Sequence, residues 1–131
     1  MRDINNNEIG VVQLYLPARD LDRSAEWYNS YLNFSIQSKN ENFIVLSQRL
    51  GPNIMLRKTN KDTPVVFSLD EREFPVLSIM HPDVESLHSL FKEHSYDVGE
   101  LKKFGEGNKY IHFHVTDPYG NKIDIGNYPD R

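Results

Sequence analysis

Two histidines and an aspartate form the densest group of chemistry-bearing side chains in this sequence. His112 and His114 stand two residues apart in HFHVTDPYGNKIDIGNY, and Asp124 follows the turn-forming DPYGN. Residues two apart on a strand share a face, and a hairpin brings the strand carrying Asp124 alongside the histidines. Imidazoles and a carboxylate in that arrangement can ligate a divalent metal, contact a ligand in a pocket, or hydrogen-bond on the wet side of a sheet. The residues alone leave all three open. Asp124 has equivalent alternatives as a catalytic base, a metal ligand, or the partner of a cation such as Arg57 or Lys122. Arg57 is a further candidate, because a guanidinium entering a pocket can grip a carboxylate or phosphate through its planar fork. The other histidines are weaker candidates. His88 is expected off the apolar face of its helix, His94 at that helix's end, where a cation favours the dipole, and His81 at a strand exit.

Composition narrows the classes of partner. A chain of 131 residues suits one domain, and 38% hydrophobic with 26% charged residues describes an ordered globular protein. The net charge of -4, without a Lys/Arg stripe, argues against nucleic acid. With no cysteine, disulfides, thiolate metal sites and a cysteine nucleophile are excluded. MRDINNNEIG has no apolar core of a signal peptide, and no run of about eighteen apolar residues suggests a membrane span. The cytoplasm is therefore the expected location. GEGN lies between strands instead of opening a helix, so it is no phosphate loop, and no serine sits in a nucleophile elbow.

The elements that must position these residues show a repeating order. IGVVQLYLP alternates as a strand that Pro17 is expected to end. DLDRSAEWYNSYLNF spaces Leu21, Ala25, Tyr28 and Leu32 along one helical face, with Asp20 as N-cap and Asn33 just past the helix end. FSIQS, FIVLSQ and NIMLRKT follow as three strands. After a connector over about 60–75 with one extended piece, the order begins again. VLSIMH reads as a strand, and DVESLHSLFKEH, capped by Asp83, presents Val84, Leu87, Phe91 and His94. Three strands then close the chain around GEGN and DPYGN. Strand, helix and three strands thus occur twice, over about 9–59 and 76–128, which favours internal duplication.

The segments LPARDLDRSAEWYNSYLNF, HPDVESLHSLFKEH and FHVTDPYGNKIDI, in that order, resemble the glyoxalase, bleomycin-resistance and extradiol-dioxygenase superfamily of vicinal oxygen chelate proteins. The resemblance implies an α+β fold in which two βαβββ modules form one curled mixed-sheet cup with helices on the outside. Alternation then points Leu14, Leu16, Ile54, Leu56, Leu77, Ile79, Ile123 and Ile125 towards the helices. Gln13, Tyr15, Met55, Arg57, Val76, Ser78, Lys122 and Asp124 point the other way, together with Tyr110, His112 and His114. Tyr15, Met55, Arg57, Tyr110, His112 and His114 are the expected ligand contacts.

Metal-dependent members take one ligand from the first and fourth strands of each module, and the matching positions here are Gln13, Met55, Val76 and Asp124. Gln13 and Asp124 can ligate a hard or borderline cation; a thioether suits copper(I), and valine has no donor. The favoured expectation is therefore a protein that binds a small organic molecule without a complete metal site. The alternative is a metal-dependent lyase, isomerase or dioxygenase using Gln13 and Asp124 with a histidine, in which a divalent cation stabilises an enediolate or catecholate by Lewis acidity. A homodimer is a family-level expectation, to which the sequence adds only a Trp27 expected on the exposed side of its helix.

Overall fold

The computed structural model describes residues 9–94 and 96–128. Most of the polar opening stretch read for targeting lies outside them. The elements are β1 (Gln13–Ala18), α1 (Leu21–Leu32), β2 (Ser35–Lys39), β3 (Phe43–Ser47), β4 (Asn53–Lys58), β5 (Phe67–Leu69), β6 (Arg72–Phe74), β7 (Leu77–Met80), α2 (Val84–Glu93), β8 (Lys102–Phe104), β9 (Tyr110–Thr116) and β10 (Lys122–Gly126). The chain is α+β and divides into two compact units at Thr59 and Asn60. Each unit holds one βαβββ module. The sheets are ordered β1-β4-β3-β2 and β7-β10-β9-β8, and in each the first and last strands of the module pair in parallel.

In the first unit, Asp20 caps α1 by accepting the Arg23 amide at 3.1 Å. Asn33 ends the helix in the left-handed region at φ 58°, where asparagine is one of the few residues at ease. The buried stripe holds Ser24, Ala25, Trp27, Tyr28 and Leu32. Trp27, expected outside, is only 3% exposed and meets the Tyr28 ring edge-on at 4.8 Å. A core-facing stripe spans about 100° of helix, wide enough to take in Trp27 beside Tyr28, and the one residue-level hint of an exposed dimer face is thereby withdrawn. Leu16, Ile44, Leu46, Ile54 and Leu56 form the buried face of the sheet. Pro17 does not end β1, which continues to Ala18. That strand stands at the end of its sheet, where a missing amide donor is tolerated.

In the second unit, Asp83 caps α2 by accepting the Ser86 amide at 3.2 Å. Val84, Leu87, His88 and Phe91 are buried at spacings of three and four. His88 therefore belongs to the apolar face, contrary to the expectation. Its ring stands edge-on to Phe113 at 4.9 Å, and its Nε2 is 2.7 Å from the Gly99 carbonyl, which supplies the partner that a buried imidazole needs. His94 is the exposed C-cap residue. Ile79, Phe113, Val115, Ile123 and Ile125 complete the buried face.

The connector over 60–75 holds a hairpin, β5 paired with β6. Its turn residues Asp70 and Glu71 both take positive φ, 50° and 64°, as a two-residue hairpin turn of the primed kind requires. The DPYGN turn anchors the connector. Asp117 Oδ1 accepts the Tyr119 and Asn121 amides at 2.9 Å each, and Gly120 closes the turn at φ 103°. Fully buried Asn121 accepts the Val65 amide at 2.7 Å.

Candidate functional site on the second sheet

Register decides which polar residues of the second unit meet. β9 and β10 pair antiparallel with His114 opposite Asp124 and His112 opposite Gly126; β10 and β7 pair in parallel with Asp124 beside Ser78. Ser78, Asp124 and His114 thus form one row across three strands, with His112 two residues further along β9. Phe113, which faces α2 through its contacts with His88 and Phe91, points the opposite way. The imidazoles therefore project from the sheet face away from α2, as alternation predicts.

Asp124 is the centre of the group and is only 6% exposed. A carboxylate at such depth requires hydrogen-bond partners, and the two oxygens divide them. Oδ2 accepts the Ser78 hydroxyl at 2.7 Å and the Tyr128 hydroxyl at 2.5 Å. Oδ1 lies 2.8 Å from His112 Nδ1 and 3.5 Å from His114 Nε2. With the carboxylate as acceptor, neutral His112 carries its proton on Nδ1, which leaves its Nε2 lone pair available. Burial lowers the pKa of His114; the Asp124 charge opposes the shift, while His112, Lys122 and Lys102 add to it. Burial raises the Tyr128 pKa, and the bond to Asp124 raises it further, so the phenol stays a donor.

Aromatic rings flank the group. Phe104 lies 5.2 Å from Tyr110, 5.0 Å from His112 and 6.0 Å from Tyr128. A cavity of about 90 Å³ opens beside the imidazoles, lined also by Gly99, Glu100, Lys102 and Phe113.

The sequence-derived candidates thus fall into two sets. Tyr110, His112, His114 and Asp124 lie on the second sheet. Gln13, Tyr15, Met55 and Arg57 lie on the first, where Tyr15 pairs with Met55 and the Arg57 guanidinium stands 5.8 Å above the Phe43 ring. Tyr15 is 62% exposed there. Two contributors were not singled out by residue type. Ser78 belongs to the correct strand face but earns its place only through its register with Asp124. Tyr128 lies beyond β10, and only the structure shows why Gly126 precedes it. A Cβ at position 126 would lie 2.4 Å from the Tyr128 ring, so only glycine lets that ring fold back over the strand end to reach Asp124.

The four-donor pattern of metal-dependent relatives does not fit this chain. Met55 offers a thioether, and Val76, one residue before β7 and 55% exposed, offers no donor. The residue beside Asp124 on the module's first strand is Ser78, whose hydroxyl is already committed to the carboxylate.

The family model of the Glyoxalase/Bleomycin resistance protein/Dioxygenase superfamily matches residues 9–125. No curated protein matches at a significant level. Among solved structures, a glyoxalase/bleomycin resistance protein/dioxygenase from Alicyclobacillus acidocaldarius is similar, with 22% identity, TM-score 0.65 and coverage of 97% of this chain and 96% of that one. A possible glyoxalase from Bacillus cereus gives 18% identity, TM-score 0.68, and coverage of 89% and 97%. Lactoylglutathione lyase from Agrobacterium tumefaciens gives 16%, 0.65, and 89% and 92%. At these identities the likeness is one of fold.

Proposed function

The chain belongs to the Glyoxalase/Bleomycin resistance protein/Dioxygenase superfamily, and from that premise we propose that it binds a small organic molecule on the face of its second sheet turned away from α2. The observation that carries this reading is the buried Asp124, oriented by two hydroxyls and an imidazole and bordered by Phe104, Tyr110 and Tyr128. Such a group offers fixed hydrogen-bonding partners beside flat apolar surface, the combination that small-molecule sites use. His112 and His114 meet the polar part of the ligand, and Tyr110 with Phe104 meets its ring or chain. On the first sheet, Tyr15, Met55 and Arg57 form a second candidate contact surface, where the guanidinium suits an anionic group. The missing donors at Met55 and Val76 favour binding or sequestration over the metal-dependent lyase, isomerase or dioxygenase reading. A homodimer in the cytoplasm is the accompanying part of the proposal, and light scattering that reads a single 15.3 kDa chain would overturn the dimer.

Ligand-observed NMR with phenol, catechol and benzoate as probes tests the binding reading. The expected result is saturable binding of at least one probe, weakened roughly tenfold or more by His112→Ala and by Tyr110→Ala, consistent with the weight of central interface groups. No binding of any probe, or binding indifferent to both variants, removes the reading. No helix among the described residues is long and apolar enough to cross a membrane.

A further inference from the structure

The mismatch at Met55 and Val76 concerns a site drawn from both modules. The second module by itself holds a different donor set. His112, His114 and Asp124 each bring one ligand atom, and these atoms lie within 4.8 Å of one another. Ligands of first-row divalent ions sit about 2.0–2.2 Å from the metal, so neighbouring ligand atoms in a tetrahedral or octahedral shell are about 3–3.5 Å apart. The observed separations, 2.8 Å from Asp124 Oδ1 to His112 Nδ1 and 3.5 Å to His114 Nε2, are close to those edges. The third edge, between the two imidazoles, is bounded by 4.8 Å, and binding an ion would draw the two rings together.

A second observation supports the same centre. Metal-binding carboxylates and imidazoles are held in place by outer hydrogen bonds, and here the Ser78 and Tyr128 hydroxyls both hold Oδ2. That division leaves Oδ1 turned to the imidazoles. The cavity of about 90 Å³ beside His112 and His114 gives the imidazole side of the group an open space.

We propose that His112, His114 and Asp124 bind one divalent first-row transition ion, such as Zn(II) or Co(II), in an open three-donor site built wholly within the second module. Two imidazoles and one carboxylate favour this class of ion over magnesium or calcium, which prefer all-oxygen shells. When His112 ligates through Nδ1, the ring proton moves to Nε2, and the neutral imidazole releases no net proton. The proposal does not rest on the small-molecule reading, because it is tested with metal alone.

Full-length chain stripped with a chelator is titrated with Zn(II) by calorimetry and with Co(II) by visible absorption. The expected result is one ion per chain at micromolar affinity or tighter. His112→Ala and His114→Ala should each weaken binding roughly tenfold or more, at least as strongly as loss of an outer-shell partner does. Asp124→Asn should abolish the Co(II) bands, and His114→Gln serves as the milder variant should Asp124→Asn unfold, which circular dichroism reveals. Gln13→Ala should leave Zn(II) affinity unchanged. Absence of saturable binding, or affinity unchanged in both histidine variants, overturns the proposal. So does a tenfold loss in Gln13→Ala, which would assign the ion to a site shared between modules.

Discussion

The two modules have the same connectivity and opposite chemical character. Each has an aspartate-capped helix, a parallel pairing of first and last strands, and an apolar face meeting its helix. On the other face they part. The first sheet presents Gln13, Tyr15, Met55 and Arg57, whereas the second gathers His112, His114, Ser78 and Tyr128 around a buried carboxylate. All five histidines lie between positions 81 and 114, so imidazole chemistry is confined to one module. Because side chains alternate along a strand, one set of residues can maintain the core while the other diverges without cost to packing. The repeated order of elements preserves the buried half, while the other half differs between the modules.

The largest expected effect tests the shared half. Tyr28→Ala and Phe91→Ala remove fully buried rings at matching helix positions, and each should cost about 3–5 kcal/mol. Urea unfolding that shows one tolerated and the other severe would break the equivalence of the cores. Next comes the divergent face. Asp124→Asn keeps the shape but places an amide where a carboxylate accepts two hydroxyls and an imidazole, and it should cost about 2 kcal/mol, the scale of hydrogen bonds to a charged group. Met55→Leu at the corresponding position of β4 should cost less than about 1.5 kcal/mol as a volume-conserving change. Equal costs in the same unfolding assay would show that the Asp124 group contributes nothing special to the fold.

A smaller effect is expected from Gly126→Ala. The added methyl displaces the Tyr128 ring, at a cost of about 1–2 kcal/mol, in the lower part of the overpacking range. Spectrophotometric titration should then find the Tyr128 phenol returning towards its ordinary pKa. Arg57→Ala, two residues after Met55 as Gly126 is after Asp124, should leave stability within about 0.5 kcal/mol as an exposed change. A Tyr128 titration unchanged in Gly126→Ala would refute the contact.

The smallest effect is pH-dependent. Burial lowers the His81 pKa, with the Asp83 charge opposing the shift, and His81 Nδ1 accepts the Asp83 amide at 2.9 Å, a bond that requires the unprotonated nitrogen. A folded pKa below the unfolded value of 6.5 means that the unfolded chain takes the proton first. The His81 contribution is therefore complete above pH 6.5 and declines as pH falls from there towards the folded pKa. NMR titration of the His81 ring should give a midpoint below 6.5; a midpoint at that value removes the effect, and one above it reverses the sign.

Much of the fold could be read along the chain because its signals are local. Asp20, Asp83 and Asn33 act within one helical turn, and the strand alternation that divides Phe113 from His112 and His114 needs only neighbours. The departures from local expectation have separate physical causes. Trp27 and His88 lie outside the narrow stripe that spacing alone defines, and tertiary packing sets how wide a stripe is buried. The β5–β6 hairpin carries no local sequence signal, because its turn uses Asp70 and Glu71 at positive φ without the usual glycine.

By itself the sequence determined the duplicated order of elements, the helix caps, and the fact that His112, His114 and Asp124 can share one sheet face. Tertiary structure decided what that face can do. Ser78 reaches Asp124 across 46 positions of chain, and Tyr128 returns to it only because Gly126 leaves room. Periodicity records which side of an element is buried; strand register, a long-range property, decides which oxygen of the carboxylate is held and which is presented to the imidazoles.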